Sequence, residues 1–198
     1  PASKKHVFKR LGQVGVNKMF KHIHSAESQS TITNVDDKMI QPNAVDVRLD
    51  RVFRMLPTRC IIGPESIEED NNGNETKQHR QSEEVFPDSN GVFLLQPGAY
   101  EITTLHNVKI GDDECGWVQT RSSLSRNNCL IFGGIFDSSY HGAMALSLQV
   151  GVGELAIYKH TRIGQFIIGG ANTSHPYDGD YGFDADGNPK EMEAKYHT

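Results

Sequence analysis

The sequence has few cysteines, no net positive charge and no long apolar run, and each of these absences excludes a class of protein. The 198 residues include three cysteines, Cys60, Cys115 and Cys129, without close spacing. Such a set favours neither a disulfide framework nor a structural zinc site, and it fits a reducing cytoplasm. The net charge of −5 gives no overall basic field, so a nucleic-acid polymer is not expected as a partner. No apolar run approaches the roughly 18 residues of a membrane-spanning helix, so we predict a cytoplasmic protein without a membrane partner.

What is present is the pattern of a mainly β protein. Over residues 142–150, large apolar side chains alternate with small or polar ones, which is typical of a half-buried strand. Residues 45–49 alternate apolar and charged side chains in the same way. Turn residues such as Pro97 and Gly98 separate further short apolar stretches. These patterns predict a β-sandwich or a distorted barrel.

Composition divides the chain into three parts. Residues 1–38 form a basic arm whose apolar residues recur at roughly helical spacing, which predicts a short amphipathic helix. Residues 39–170 form the β domain, interrupted by a polar loop insertion at 63–90. Residues 171–198 form a tail rich in glycine, aspartate and tyrosine.

Four short segments carry side chains that suit nucleotide chemistry. They are residues 40–49 (IQPNAVDVRL), 120–126 (TRSSLSR), 134–142 (GIFDSSYHG) and 162–168 (RIGQFII). The second segment sets an arginine beside two serines in a turn, which suits a phosphate group. A surface turn capped by Ser and Thr explains that segment alone equally simply.

The other segments offer an acid, a phenol and an amide. Asp137 precedes Tyr140 by three residues, so the acid could orient or deprotonate a water while the ring forms a flat wall for a sugar or base. A turn aspartate and a core-edge tyrosine are the simpler explanation of either residue alone. Asp46 lies in a strand-like run and needs a partner, for which Arg48 is a candidate. Gln165 is either a ligand-facing amide or a polar residue on an outer face.

Read in order, the four segments resemble the superfamily that contains dUTPases and dCTP deaminases, over residues 39–168. The apolar strand and Pro-Gly turn of residues 92–100 (VFLLQPGAY) extend the likeness. The resemblance implies a mainly β subunit with a distorted jelly-roll or β-barrel fold. It also implies a homotrimer with its active sites at subunit interfaces, and a nucleotide such as dUTP as the small-molecule substrate.

The resemblance further implies which residues hold the phosphates. Arg121, Ser122 and Ser123 would bind the triphosphate, and Arg126 would complete that substrate-binding segment. Gln165 would contact an oxygen of the α-phosphate. Mg²⁺ would be the cofactor, held mainly by the triphosphate and water with no direct protein ligand, as its preference for hydrated octahedral shells allows.

The remaining candidates belong to the nucleoside and the reaction. Asp137 would orient the attacking water and touch the 3′-hydroxyl, and Asp46 is the second candidate catalytic acid. Tyr140 would pack against the deoxyribose where a 2′-hydroxyl would otherwise sit, and Gly134 belongs to the same substrate-binding segment. Phe183, in the tail, is the candidate for stacking on the base if that tail is a lid. The tail lacks the arginines of the usual dUTPase arm, so a terminal segment without a catalytic part is the alternative.

Hydrolysis of dUTP to dUMP and pyrophosphate is the predicted activity. In the superfamily's deaminases a glutamate stands five residues after the glycine that closes the third segment, and here that position is Ser147. A hydroxyl cannot accept the proton that deamination moves. Arg126, in contrast, is more typical of the deaminase branch. A dCTP deaminase or bifunctional enzyme is therefore the first alternative, and a non-catalytic nucleotide-binding trimer is the second.

Overall fold

Strands make up nearly all the regular structure of the described residues, which are 20–63 and 77–190 of the computed structural model. In chain order they are β1 (Phe20–Lys21), β2 (Thr31–Ile32), β3 (Ile40–Gln41), β4 (Ala44–Met55), β5 (Ile61–Ile62), β6 (Lys77–Gln78), β7 (Ser82–Val85), β8 (Val92–Leu95), β9 (Gly98–Lys109), β10 (Glu114–Thr120), β11 (Cys129–Phe132), β12 (His141–Val150), β13 (Leu155–Tyr158) and β14 (Arg162–Gly170). A 3₁₀ turn spans Asp37–Met39, and one short helix, α1, spans Ser122–Ser125. No helix in the described residues is long and apolar enough to cross a membrane. The mainly β prediction is confirmed.

Ten of these strands form one sheet that curls into a nearly closed, jelly-roll-like barrel. The strand order is β1-β14-β4-β9-β12-β11, while β10 pairs with β14, β2 with β9, and both β3 and β7 with β4. All of these pairs are antiparallel. Strand β4 connects the two sides of the barrel. Its first half pairs with β14, and its second half pairs with β9 and β7. A register shift between Leu49 and Val52 marks an irregularity of the kind that bends a strand.

The predicted alternation of β12 is confirmed by its burial. Met144, Leu146 and Leu148 are buried, whereas Ser147 and Gln149 are exposed. Strands β4, β9, β10 and β14 contribute to the same single core cluster. Burying apolar side chains on one face stabilises the sheet by roughly 1.5–3 kcal/mol for each large residue, and it fixes which face of β12 remains available to a ligand.

The described part of the predicted N-terminal arm is attached to the barrel. Strand β1 pairs with β14 and strand β2 with β9. The carboxylate of Glu114, at the start of β10, accepts hydrogen bonds from Lys21 Nζ at 3.0 Å and from the backbone N–H of Ser30 at 2.9 Å. Most of the predicted amphipathic helix lies outside the described residues, so it stays a prediction, as does the boundary between arm and domain.

The polar loop insertion contains strands in its described part. Residues 64–76 lie outside the described residues, but β6 pairs with β5, and β7 pairs with the second half of β4. Arg51 forms an ion pair with Glu84 at 2.8 Å, and Arg54 lies 3.7 Å from Glu83. The sequence of β7 is polar, so pairing with an existing strand and these cross-strand ion pairs account for its conformation.

His106 is buried between β4 and the segment after β2. Its environment leads us to expect that the free energy of unfolding depends on pH. The backbone N–H of Arg48 donates to Nε2 at 3.1 Å, and Nδ1 lies 2.7 Å from the carbonyl oxygen of Thr33. A neutral ring protonated at Nδ1 satisfies both contacts. Burial lowers the pKa of His106, and the nearby charge of Arg48 adds to this effect.

The pKa of His106 is lower in the folded state than in the unfolded state. Its contribution to the free energy of unfolding is therefore fully present above the unfolded pKa of about 6.5, and it is lost as pH falls through the folded pKa. We therefore expect the free energy of unfolding to fall below about pH 6.5, by at most about 1.4 kcal/mol per pH unit for this one proton. His106→Gln should cost about 1–3 kcal/mol at pH 8, and its deficit should narrow at acid pH. Urea unfolding across pH 5–8 measures this, with the exposed His24→Gln as control, and a constant deficit would contradict it.

Candidate active site

Asp46 is the centre of a polar cluster built from β4, β14 and the turn after β10. Its side chain is fully buried. Arg162 lies 3.0 Å from one carboxylate oxygen, and Gln165 Nε2 donates to the other at 3.3 Å. The Nε of Arg121 is 3.7 Å away. The register explains the cluster, since Gln165 pairs with Asp46 on one side and with Gln119 of β10 on the other.

The partner proposed for Asp46 from sequence was wrong. Arg48 forms its ion pair with Asp36 instead. Alternate positions of a regular strand share a face, but the pairing of β4 with β14 shifts register between Val47 and Arg48. Arg48 therefore reaches Asp36, next to the 3₁₀ turn. Arg162 is the residue that forms the close ion pair with Asp46. The sequence analysis did not select Arg162 as a site residue, although it is the first residue of the fourth segment.

The Arg-Ser-Ser turn leaves its hydroxyls in solvent. Ser122, Ser123 and Arg126 are exposed, while Leu124 is buried and anchors the turn. The N–H of Arg121 donates to the carbonyl of Ile163 at 3.1 Å. Its side chain is 30% exposed although it faces Asp46. Asp46 thus orients the guanidinium of Arg121, which still reaches solvent beside the exposed hydroxyl groups of Ser122 and Ser123. This arrangement is suited to binding an anion.

Asp137 lies at the other end of β10. Phe136 forms a bridge with Gly116, which places Asp137 beside Cys115, and both line a cavity of about 350 Å³. Burial raises the pKa of the Cys115 thiol, and the charge of Asp137 adds to the rise. Cys115 and Arg121 are six positions apart on an extended strand, which is about 20 Å at roughly 3.3 Å per residue. Within one chain the acid and the Arg-Ser-Ser turn are therefore not in contact.

Tyr140 and Gly134 line a second cavity of about 420 Å³. Tyr140 is buried, donates its hydroxyl to the carbonyl of Ala143 at 2.8 Å, and packs its ring on Phe136 at 5.5 Å. A Cβ on Gly142 would lie 2.5 Å from the Tyr140 hydroxyl, so this position must be glycine. The cavity brings together aromatic rings with a few polar side chains, as small-molecule sites commonly do.

The described part of the tail packs on the third segment of its own chain. The backbone N–H of Tyr177 donates to the carbonyl oxygen of Ser138 at 2.9 Å. The backbone N–H of Phe183 donates to the carbonyl oxygen of His141 at 2.7 Å. Tyr177 and Tyr181 line the 420 Å³ cavity. Phe183 is not among its lining residues, and its ring contacts His141 at 5.0 Å. The role of Phe183 in stacking on a base stays a prediction.

Metal binding by the protein alone has no ready-made site in the described ranges. No group of three or more His, Cys, Asp or Glu side chains there is placed to hold an ion. The oxygens of Asp46, the most buried acid of the cluster, already face Arg121, Arg162 and Gln165. That donor set fits an ion carried by a bound triphosphate and its waters better than an ion held by carboxylates.

Comparisons with known proteins identify the family of this chain. The family model described as dCTP deaminase-like matches residues 17–169. A probable deoxyuridine 5′-triphosphate nucleotidohydrolase of Halobacterium salinarum is 28% identical over 148 residues, which are 74% of this chain and 85% of that protein. A dUMP-forming dCTP deaminase of Beutenbergia cavernae is 30% identical over 158 residues, 77% of this chain and 76% of that protein.

A solved structure gives the same fold. The crystal structure of 2′-deoxycytidine 5′-triphosphate deaminase from Agrobacterium tumefaciens superposes with a TM-score of 0.50 at 14% identity, covering 72% of this chain and 42% of that one. Fold and sequence together define a class, the superfamily of dUTPases and dCTP deaminases. Within it, the chain belongs to the dCTP deaminase-like family.

Proposed function

We propose that this protein hydrolyses dUTP to dUMP and pyrophosphate as a homotrimer. The placement of Asp137 carries the proposal. This carboxylate is exposed, has no ion pair among the described residues, and lines the cavity of about 350 Å³ together with Cys115. An exposed, unneutralised acid can hold and deprotonate a water, whereas Asp46 faces two arginines and is suited to positioning them.

A trimer reconciles the two separated halves of the site. Asp137 and Arg121 lie near opposite ends of β10, so one chain cannot apply both to the same phosphate. A closed ring of subunits brings one end of a strand against the other end of its neighbour's through a heterologous contact. In this arrangement Arg121, Ser122 and Ser123 of one subunit bind the triphosphate whose nucleoside occupies the adjacent subunit.

The reaction then follows from the groups in place. Asp137 takes a proton from a water as the water oxygen bonds to the α-phosphorus. The bond from the α-phosphorus to the bridging oxygen breaks, and pyrophosphate leaves. Arg121, oriented by Asp46, stabilises the charge that develops on the phosphate oxygens. Mg²⁺ bound to the triphosphate would neutralise charge on the leaving pyrophosphate. Gln165 would donate to an α-phosphate oxygen.

Tyr140 suits the nucleoside end. Its ring is fixed by the hydroxyl bond to Ala143 and by contacts with Phe136 and Tyr177. A ring held on three sides cannot withdraw from an added hydroxyl, so packing against C2′ of the sugar would select deoxyribonucleotides by steric exclusion. Tyr177 and Tyr181 would make the tail a cover for this end of the site.

Relatives named as dCTP deaminases keep deamination as the second candidate. An assay of dUTP, dCTP, UTP and CTP that follows pyrophosphate and ammonia separately tests the proposal. We expect pyrophosphate from dUTP and little from UTP. Ammonia released from dCTP would support the deaminase or a bifunctional enzyme instead. Binding of dUTP without either product would indicate a non-catalytic trimer.

A further inference from the structure

The backbone of one tight turn sets the position of Asp137. The Asp137 carboxylate is exposed and has no ion pair among the described residues, so the chain that carries it decides where it points. The N–H of Tyr140 donates to the carbonyl oxygen of Asp137 at 3.0 Å, and Ser139 has a φ of 68°. This left-handed conformation is uncommon for a residue other than glycine, and it persists only where the surrounding contacts hold it. Asp137 therefore depends on the contacts that attach this turn to the barrel.

A serine hydroxyl attaches the turn to β10. Phe136 and Gly116 exchange two backbone hydrogen bonds, of 2.9 and 2.8 Å. Two positions further along each segment, the Ser138 hydroxyl donates to the carbonyl oxygen of Glu114 at 2.6 Å. The serine side chain thus continues the antiparallel ladder by one step beyond the backbone bonds. Asp137 lies between these two attachments.

The residue that accepts this hydrogen bond is itself held on both sides. Glu114 is buried, and its carboxylate accepts hydrogen bonds from Lys21 and from both the N–H and the hydroxyl of Ser30. The backbone N–H of Glu114 donates to the carbonyl oxygen of Gly111 at 3.2 Å. Because side chain and backbone are both fixed, the Glu114 carbonyl gives the Ser138 hydroxyl one defined direction.

The tail completes the contact through a second hydroxyl. The hydroxyl groups of Ser138 and Thr173 are hydrogen-bonded to each other. Ser138 has a single hydroxyl hydrogen, which it donates to the Glu114 carbonyl, so Thr173 is the donor in this pair. The backbone N–H of Tyr177 also donates to the carbonyl oxygen of Ser138 at 2.9 Å. Because Ser138 is buried, solvent does not readily replace a lost partner.

We propose that Ser138 is a positioning residue for dUTP hydrolysis. Its hydroxyl, fixed by Thr173, holds the turn so that the Asp137 carboxylate meets the attacking water. Loss of either hydroxyl lets the turn relax, and a displacement of about 1 Å can cost roughly a hundredfold in rate. The tail thereby acts in catalysis without a contact to the nucleotide. This inference rests on the proposed function, because it takes Asp137 as the acid of the reaction.

Steady-state release of pyrophosphate from dUTP by the full chain tests this. We expect Ser138→Ala to lower the turnover number by about tenfold or more, while the KM for dUTP changes by less than about twofold. Thr173→Val has nearly the same shape without the hydroxyl, and it should lower the turnover number by about fivefold, the equivalent of one neutral hydrogen bond. Thr173→Ser keeps the hydroxyl and should retain the wild-type value.

Ser139→Ala is the matched control. It removes a hydroxyl from the same turn, but that hydroxyl donates to the exposed Asp112 at 2.9 Å and does not contact β10 or the tail. Its turnover number should equal that of the wild type.

The double variant Asp137→Asn/Ser138→Ala separates positioning from a general loss of structure. If Ser138 acts only through Asp137, the double variant should hydrolyse dUTP at the rate of Asp137→Asn alone. A further loss in the double variant, an unchanged turnover number in Ser138→Ala, or a loss confined to KM would overturn the inference. If Ser138→Ala does not fold, Thr173→Val takes its place in the same double variant, and the same outcomes decide.

Amide hydrogen exchange over residues 137–140 gives a readout that does not depend on activity. The N–H of Tyr140 should exchange faster in Ser138→Ala than in Ser139→Ala, because its bond to the Asp137 carbonyl opens more often. An active wild type with unchanged exchange and turnover in Ser138→Ala would overturn the inference alone. A wild type that releases no pyrophosphate would overturn the proposed function, and faster exchange would then leave Ser138 as an anchor of the turn only.

Discussion

Asp137→Asn should reduce the turnover number for dUTP by at least about a hundredfold, since a positioned general base contributes roughly 10²–10⁴ to a rate. Asparagine has the same shape but cannot take a proton from water. Because Asp137 is exposed and forms no ion pair among the described residues, the change in the free energy of unfolding should stay within about 0.5 kcal/mol. The KM for dUTP should change much less than the turnover number, because the lost interaction acts in the transition state.

Pyrophosphate release under steady-state conditions measures this effect, and thermal unfolding with size-exclusion chromatography checks fold and assembly. Asp112→Asn is the control, because Asp112 is an exposed acid nearby that accepts a hydrogen bond from Ser139 at 2.9 Å and has no role in the proposed reaction. An Asp137→Asn variant that retains wild-type turnover would remove Asp137 from the mechanism.

Mixing two inactive variants should restore activity. Asp137→Asn lacks the acid and Arg121→Ala lacks the phosphate-binding guanidinium, and each homotrimer is expected to be inactive. If each site combines Asp137 of one subunit with Arg121 of another, random co-assembly leaves roughly a quarter of the sites with both wild-type groups. Activity should therefore rise from near zero to about a quarter of the wild-type value.

The experiment is performed by co-expression or by refolding the variants together, with each variant refolded alone as the reference. Sites built within one chain would give no recovery, since no single subunit would carry both groups. A monomer in solution would contradict the subunit arrangement directly. The mixing experiment tests the subunit arrangement, whereas Asp137→Asn alone tests the role of the acid, whichever subunit supplies Arg121.

The candidate residues differed in how far sequence alone could place them. Asp137 and Tyr140 could be paired from the sequence because they are three positions apart in one segment, and the structure keeps both in the same turn. The partners of Asp46 were not readable, because Arg121 and Arg162 are far from it in sequence and approach it only when β10, β14 and β4 lie side by side.

Sequence by itself determined the mainly β class, the alternation of β12 and the four segments, since these depend on local spacing and on side-chain chemistry. Only the tertiary structure decided which arginines contact Asp46 and that the polar β7 is a strand. Those outcomes depend on strand register, which sets side chains of distant residues about 5 Å apart. A shift of one residue in the pairing of β14 with β4 would turn Gln165 away from Asp46.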